Sequence, residues 1–89
     1  MISRELTIIN RLGLHARAAA KLAATAGGFS CAIRIHREGR QVDAKSVMSL
    51  MLLAAGQGTT LEFQFEGRDE AEAAESVAAL LAQRFHEEQ

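Results

Sequence analysis

Residues 10–21, Asn10-Arg11-Leu12-Gly13-Leu14-His15-Ala16-Arg17-Ala18-Ala19-Ala20-Lys21, take the chain from a strand, through a glycine turn, into a helix. Upstream, residues 2–9 read as the strand, with Leu6 and Ile8 facing one side and Glu5 and Thr7 the other. The turn covers 10–14. Downstream, the alanine-rich run predicts a helix over 16–26, ended by Gly27-Gly28 because glycine takes the left-handed C-cap at little cost. His15 therefore stands at a helix start, with Arg17 two residues further on. Helix N-termini expose unpaired N–H groups and the positive end of the dipole, which suits an anion. Arg17 adds a cation able to bond phosphate oxygens in a bidentate way. The imidazole supplies a nitrogen nucleophile. Together these residues suit a histidine that accepts and donates a phosphoryl group.

Working outward, residues 30–37 alternate cleanly, with Cys31, Ile33 and Ile35 inward and Ala32, Arg34 and His36 outward. Glu38-Gly39 reads as a turn, and 40–43 as a short return strand with Val42 inward. Ser46 is a good N-cap for a second helix that is expected to run to about Ala54, before Gly56. Residues 59–66 form a last strand, with Leu61, Phe63 and Phe65 on one face. A third helix is expected from Asp69, with Glu72 at capping-box spacing and an apolar stripe of Ala73, Val77, Leu80, Leu81 and Phe85. The order is β-α-β-β-α-β-α. Polar–apolar alternation in three of four strands implies one wet sheet face and one covered by helices, a two-layer antiparallel α+β sandwich.

Composition narrows the field. Eighty-nine residues fit one domain, 1–89, and a net charge of −1 supplies no basic stripe for nucleic acid. One cysteine, Cys31, cannot form an internal disulfide, which points to a reducing, cytosolic compartment. The first residues carry charges where a secretory segment needs apolar ones, and no apolar run approaches the ~20 residues that span a bilayer. No Cys/His cluster has metal-ligand spacing, and no glycine-rich phosphate loop with a lysine is present. The expectation is a cytoplasmic, monomeric domain that offers surfaces rather than a substrate pocket.

Gly13-Leu14-His15-Ala16-Arg17, with Lys45-Ser46-Val47-Met48 opening the second helix, resembles the HPr family, the histidine-containing phosphocarriers of the bacterial phosphoenolpyruvate-dependent phosphotransferase system. The resemblance extends over the whole chain, through Gln57-Gly58-Thr59 and Gly67-Arg68-Asp69-Glu70. It implies an open-faced β-sandwich, a four-stranded antiparallel sheet covered on one face by three helices. It also implies that His15 takes a phosphoryl group from Enzyme I on Nδ1 and passes it to an Enzyme IIA domain, in sugar uptake or the related nitrogen-regulatory branch. The backbone of Ala16 and Arg17 would contact the phosphate. The chain would be a relay component rather than a turnover enzyme, with no resident cofactor; phosphoenolpyruvate and magnesium belong to Enzyme I. In organisms that possess them, HPr kinase/phosphorylase acting on Ser46 and a transcriptional regulator would be further partners. One departure stands out: the family commonly has proline after the motif arginine, where this chain has Ala18. A somewhat looser helix start is expected from that change.

Each functional residue has a plainer alternative. A histidine at a helix start can simply cap it by accepting a backbone hydrogen bond. Arg17 can be a solvated helix residue, and Ser46 only an N-cap worth about 1 kcal/mol. In Val47-Met48-Ser49-Leu50-Met51-Leu52-Leu53-Ala54, helical spacing puts Leu50, Leu53 and Ala54 on a core-facing side. Val47, Met48, Met51 and Leu52 then form, with Ala20, a candidate docking patch; the alternative is a helix buried all round. Cys31 reads as a buried, inert thiol, His36 as a surface residue and His86 as part of a fraying last turn. The competing function is a regulatory binding module of the same fold, acting through Ser46, Met48 and Met51 without phosphoryl transfer. A small metal-binding domain fails for lack of ligands.

Overall fold

The computed structural model describes residues 1–87. Its strands are β1 (Ile2–Thr7), β2 (Ala32–Arg37), β3 (Arg40–Asp43) and β4 (Thr60–Glu66). The helices are α1 (Ala16–Gly27), α2 (Val47–Met51) and α3 (Glu70–Ala82), followed by a 3-10 turn over Arg84–His86. One antiparallel sheet runs in the order β1-β4-β2-β3, so β4, the last strand in the chain, lies inside the sheet between β1 and β2, with β1 and β3 at the edges. The register places Leu6 against Leu61, Ile35 against Phe63, and Ile33 against Phe65, which puts the apolar residues of neighbouring strands on one face. Three helices cover that face, as the α+β reading expects. Leu22, Leu50, Val77 and Phe85, all fully buried, fill the space between the layers.

The other sheet face carries polar pairs. Thr7 and Thr60 hydroxyls meet at 2.9 Å, Arg34 bonds Glu66 at 2.8 Å, and His36 meets Gln64 at 2.9 Å. Glu38 and Gly39 both take positive φ, 51° and 78°, the pairing that a two-residue hairpin needs to follow strand twist.

Several element ends differ from the sequence expectations, each for a local reason. β1 stops at Thr7, although Ile8 still donates to Thr59 O at 2.8 Å. Gly28 ends α1 at φ −76°, without a left-handed cap; the Gly28 and Phe29 N–H groups close the last turn on Thr25 and Ala26 carbonyls instead. α2 covers only Val47–Met51, and Ala54 is exposed at φ 50° rather than packed in the core. The segment after α2 is held from outside the helix. The Arg37 and Arg40 guanidiniums donate to the Leu53 and Leu52 carbonyls, and Leu14 N–H donates to Ala55 O at 2.8 Å. The Asp69/Glu72 capping box does not form. Asp69 instead accepts from Ser30 N–H at 2.8 Å and Cys31 N–H at 2.9 Å, which holds its carboxyl below the ordinary value. Cys31 itself is buried, and burial, with Asp69 beside it, pushes its thiol up.

Candidate functional site

The turn between β1 and α1 is built around a fully buried polar residue, Asn10. Its carbonyl accepts from Gly13 N–H at 3.2 Å, and its side-chain Nδ2 donates to Gly13 O at 2.8 Å. Gly13 sits at φ 69° so closely under the segment after α2 that an added Cβ would lie 2.7 Å from Ala55 O. Only glycine satisfies both the dihedral and the approach. The turn thus clamps the chain one residue before Leu14, which is buried, and two before His15.

His15 is the N-cap of α1, with φ −75° and ψ 177°. Its Nδ1 accepts from Arg17 N–H at 3.3 Å, and its carbonyl takes the first helical bond, from Ala19 N–H at 2.8 Å. That helical bond forms with alanine at position 18, where the family commonly has proline. The capping role is therefore real, and it aims Nδ1 at the unpaired N–H groups of the helix start.

The other ring nitrogen, Nε2, contacts a carboxylate oxygen of Glu87. The second oxygen of Glu87 accepts from Asn10 Nδ2 at 2.9 Å. Burial alone would raise the Glu87 carboxyl. The hydrogen bonds with Asn10 and His15, with the Lys21 charge nearby, outweigh it and hold the group below its ordinary value. Lys21 ties the same segment to α1 by donating to Phe85 O at 2.7 Å.

These groups surround an open concavity lined by Arg11, His15, Arg17, Lys21, His86 and Glu87. The sequence implies surfaces alone, with His86 in a fraying last turn. Instead the Arg84–His86 turn is pinned by Phe85, which is wholly buried, and His86 forms part of the concavity wall. Glu87 had no signal in the sequence, because its partner lies 72 residues earlier.

The second candidate site lies on α2. Ser46 Oγ accepts from Ser49 N–H at 3.2 Å, the expected N-cap bond. Leu50 is fully buried, whereas Met48, Leu52 and Met51 are 81%, 64% and 48% exposed. A helix buried all round is thereby excluded. Val47 is half-buried against the core, and Ala16 and Ala20 are exposed on α1. Leu12, 69% exposed in the turn, was not singled out from the sequence and belongs to the same class of exposed apolar residues. Among the described residues, no group of three His, Cys, Asp or Glu side chains gathers as metal ligands. No helix among them is long and apolar enough to cross a membrane.

An antiparallel sheet covered on one face by three helices, with a capping histidine at the first helix, defines an open-faced α+β sandwich. A family model described as PTS HPr component phosphorylation site matches residues 2–83. The chain is 54% identical over 87 residues to the phosphocarrier protein HPr of Cupriavidus necator, covering 98% of each chain. It is 49% identical over 88 residues to that of Pseudomonas aeruginosa, again covering 98% of each. The crystal structure of HPr-C-His from Thermoanaerobacter tengcongensis superposes over the full length of both chains with a TM-score of 0.95 and 38% identity. The chain belongs to the HPr family, the phosphocarrier proteins of the bacterial phosphotransferase system.

Proposed function

We propose that His15 is the phosphoryl acceptor of this phosphocarrier, taking the group from phospho-Enzyme I on Nδ1 and handing it to an Enzyme IIA domain. The observation that carries this reading is the Nδ1 lone pair directed at the N–H of Arg17, at 3.3 Å. A phosphoryl group on Nδ1 replaces that weak bond. Its oxygens then meet the Ala16 and Arg17 N–H groups and the positive end of the helix. Arg17, on the concavity wall, adds a full positive charge to the same place. A nitrogen–phosphorus adduct held by backbone donors and one arginine is bound firmly enough to persist and loosely enough to leave. The protein then acts as a cytoplasmic, monomeric relay component rather than as a turnover enzyme.

Intact mass after incubation with phosphoenolpyruvate, magnesium and Enzyme I tests this reading. One added phosphoryl group, lost in acid and stable in base, is the expected result; no addition with an active Enzyme I would overturn it. Arg17→Ala is expected to slow transfer by about tenfold or more, in line with the loss of a charge-assisted contact worth ~1.5–3 kcal/mol. Its effect on stability should stay within about 0.5 kcal/mol, because the side chain is exposed. Equal transfer rates would return Arg17 to the role of a solvated helix residue.

The exposed Met48, Met51 and Leu52, with Val47 and Ala20, support a docking face for Enzyme I and Enzyme IIA domains, since methionine adapts its shape to several partners. Ser46 supports a regulatory role at the edge of that face. A phosphate there, added by HPr kinase/phosphorylase, places two negative charges at a helix start, which the fold tolerates and an acidic partner does not. Met48→Asp and Ser46→Asp are both expected to leave the protein folded and to weaken Enzyme I binding by about tenfold or more, read by titration calorimetry. Undiminished affinity in both variants would remove this face from the interface. A transcriptional regulator that recognises the phosphorylated serine is a further partner compatible with the same surface.

A further inference from the structure

On the far side of the His15 ring from Nδ1, the Glu87 carboxylate is fixed by two side chains, Asn10 and His15 itself. Building on the reading of His15 as the phosphoryl acceptor, we propose that Glu87 is the positioning residue of His15, holding the proton on Nε2 so that the nucleophilic lone pair stays on Nδ1. Its charge then faces the positive charge that the ring gains on phosphorylation.

Both ring nitrogens have a partner, and the partners differ in kind. Nδ1 faces a backbone N–H, which can only donate, so Nδ1 carries the lone pair. Nε2 faces Oε2 of Glu87, which accepts, so Nε2 carries the proton. That is the tautomer an attack through Nδ1 requires.

The carboxylate is also part of a built structure. Its Oε1 is held at 2.9 Å by Asn10, a fully buried side chain whose same Nδ2 bonds Gly13 O in the turn that delivers His15. One residue therefore aligns the histidine-bearing turn and the carboxylate together. The chain reaches this position through three successive non-glycine residues with positive φ: Arg84 at 55°, Phe85 at 55° and His86 at 62°. Each costs an L-residue roughly 1–2 kcal/mol. Burial of Phe85 and the Lys21–Phe85 bond hold the turn in place. The outcome of that strained path is a carboxylate on the histidine ring.

The transfer step balances without moving a proton. The Nδ1 lone pair forms the N–P bond as the donor's bond to phosphorus breaks, its electron pair leaving with the donor. The ring, neutral beforehand, becomes cationic with its remaining proton against Glu87. On onward transfer the electrons of the N–P bond return to Nδ1, and the neutral tautomer is restored. A carboxylate that orients an imidazole and stabilises its cationic form, without itself being protonated, is the role the buried aspartate plays in serine hydrolases.

The test uses the full chain, Glu87→Ala and Glu87→Gln, with folding checked by circular dichroism. Nitrogen-15 NMR of the neutral His15 ring gives the tautomer populations without any Enzyme I. Rapid-quench mass spectrometry with saturating phospho-Enzyme I gives the transfer rate. The parent protein should hold mainly the Nε2–H tautomer. Glu87→Ala should shift population to Nδ1–H and lower the rate by about tenfold or more, as loss of an outer partner does at other imidazole sites, while still accepting one phosphoryl group. Glu87→Gln keeps a carbonyl acceptor without the charge, so it should retain more of the tautomer than of the rate. An unchanged tautomer population, or a rate equal to or faster than the parent's in Glu87→Ala, overturns the proposal. A parent protein that accepts no phosphoryl group overturns the reading of His15 instead, and the tautomer populations then decide separately whether Glu87 orders the ring.

Discussion

His15→Ala is expected to abolish phosphoryl acceptance while the protein stays folded. The substitution removes the only side chain whose nitrogen faces the N–H groups at the start of α1 among those described. Neither neighbouring cation can replace it as a nucleophile: the Arg17 guanidinium has donors only and no lone pair to offer, and Lys21 is engaged with Phe85 O. The structural cost is modest. The His15 side chain is 27% exposed and contributes a cap bond, a loss of about 1 kcal/mol against a domain stability of roughly 5–15 kcal/mol. Intact mass and a circular dichroism melt on the same sample check both halves of the expectation. Acceptance retained in the variant would move the reaction to another residue, and His86, on the wall of the same concavity, would be the first to examine.

The largest stability effect is expected at a residue with no side chain. Gly13→Ala forces an L-residue to φ 69°, at roughly 1–2 kcal/mol. It also places a methyl group 2.7 Å from Ala55 O and 2.8 Å from the Gly56 Cα. Both are backbone atoms and cannot swing aside as a flexible side chain would, so the overpacking adds about 1–3 kcal/mol. A total near 3 kcal/mol lowers the urea midpoint well below the parent's. Relief of the clash requires the turn to lift from the segment after α2, which stretches the Leu14–Ala55 bond of 2.8 Å and carries Asn10 and His15 away from Glu87. Phosphoryl transfer in the fraction that remains folded should therefore slow as well. An unchanged midpoint would show that the turn repacks freely and that Gly13 has no special role.

The contrast between these two residues shows how much could be read in advance. Strand faces were legible because a two-residue period sorts Ile33, Ile35, Leu61, Phe63 and Phe65 to one side whatever they pack against. The capping position of His15 was legible because the glycine turn and the alanine run are adjacent in sequence. The exposed face of α2 also followed from local spacing, although its length did not. Arg37 and Arg40, carried on the β2–β3 hairpin, bond the carbonyls just past its end. Asp69 had the residue type of a helix cap, yet two N–H groups just before β2 lie within its reach at once, and its carboxylate bonds those rather than its own helix.

By itself, then, the sequence determined the order of elements, the inward residues of each strand and the presentation of His15 at a helix start, all of which depend on neighbours within a few positions. Only the tertiary structure decided what surrounds that histidine. Asn10, Lys21, Phe85 and Glu87 meet because the chain after α3 folds back through a left-handed turn onto the start of α1. Bonds between residues more than sixty positions apart have no periodicity to announce them. They exist because the buried core brings the start of α1 and the segment after α3 together.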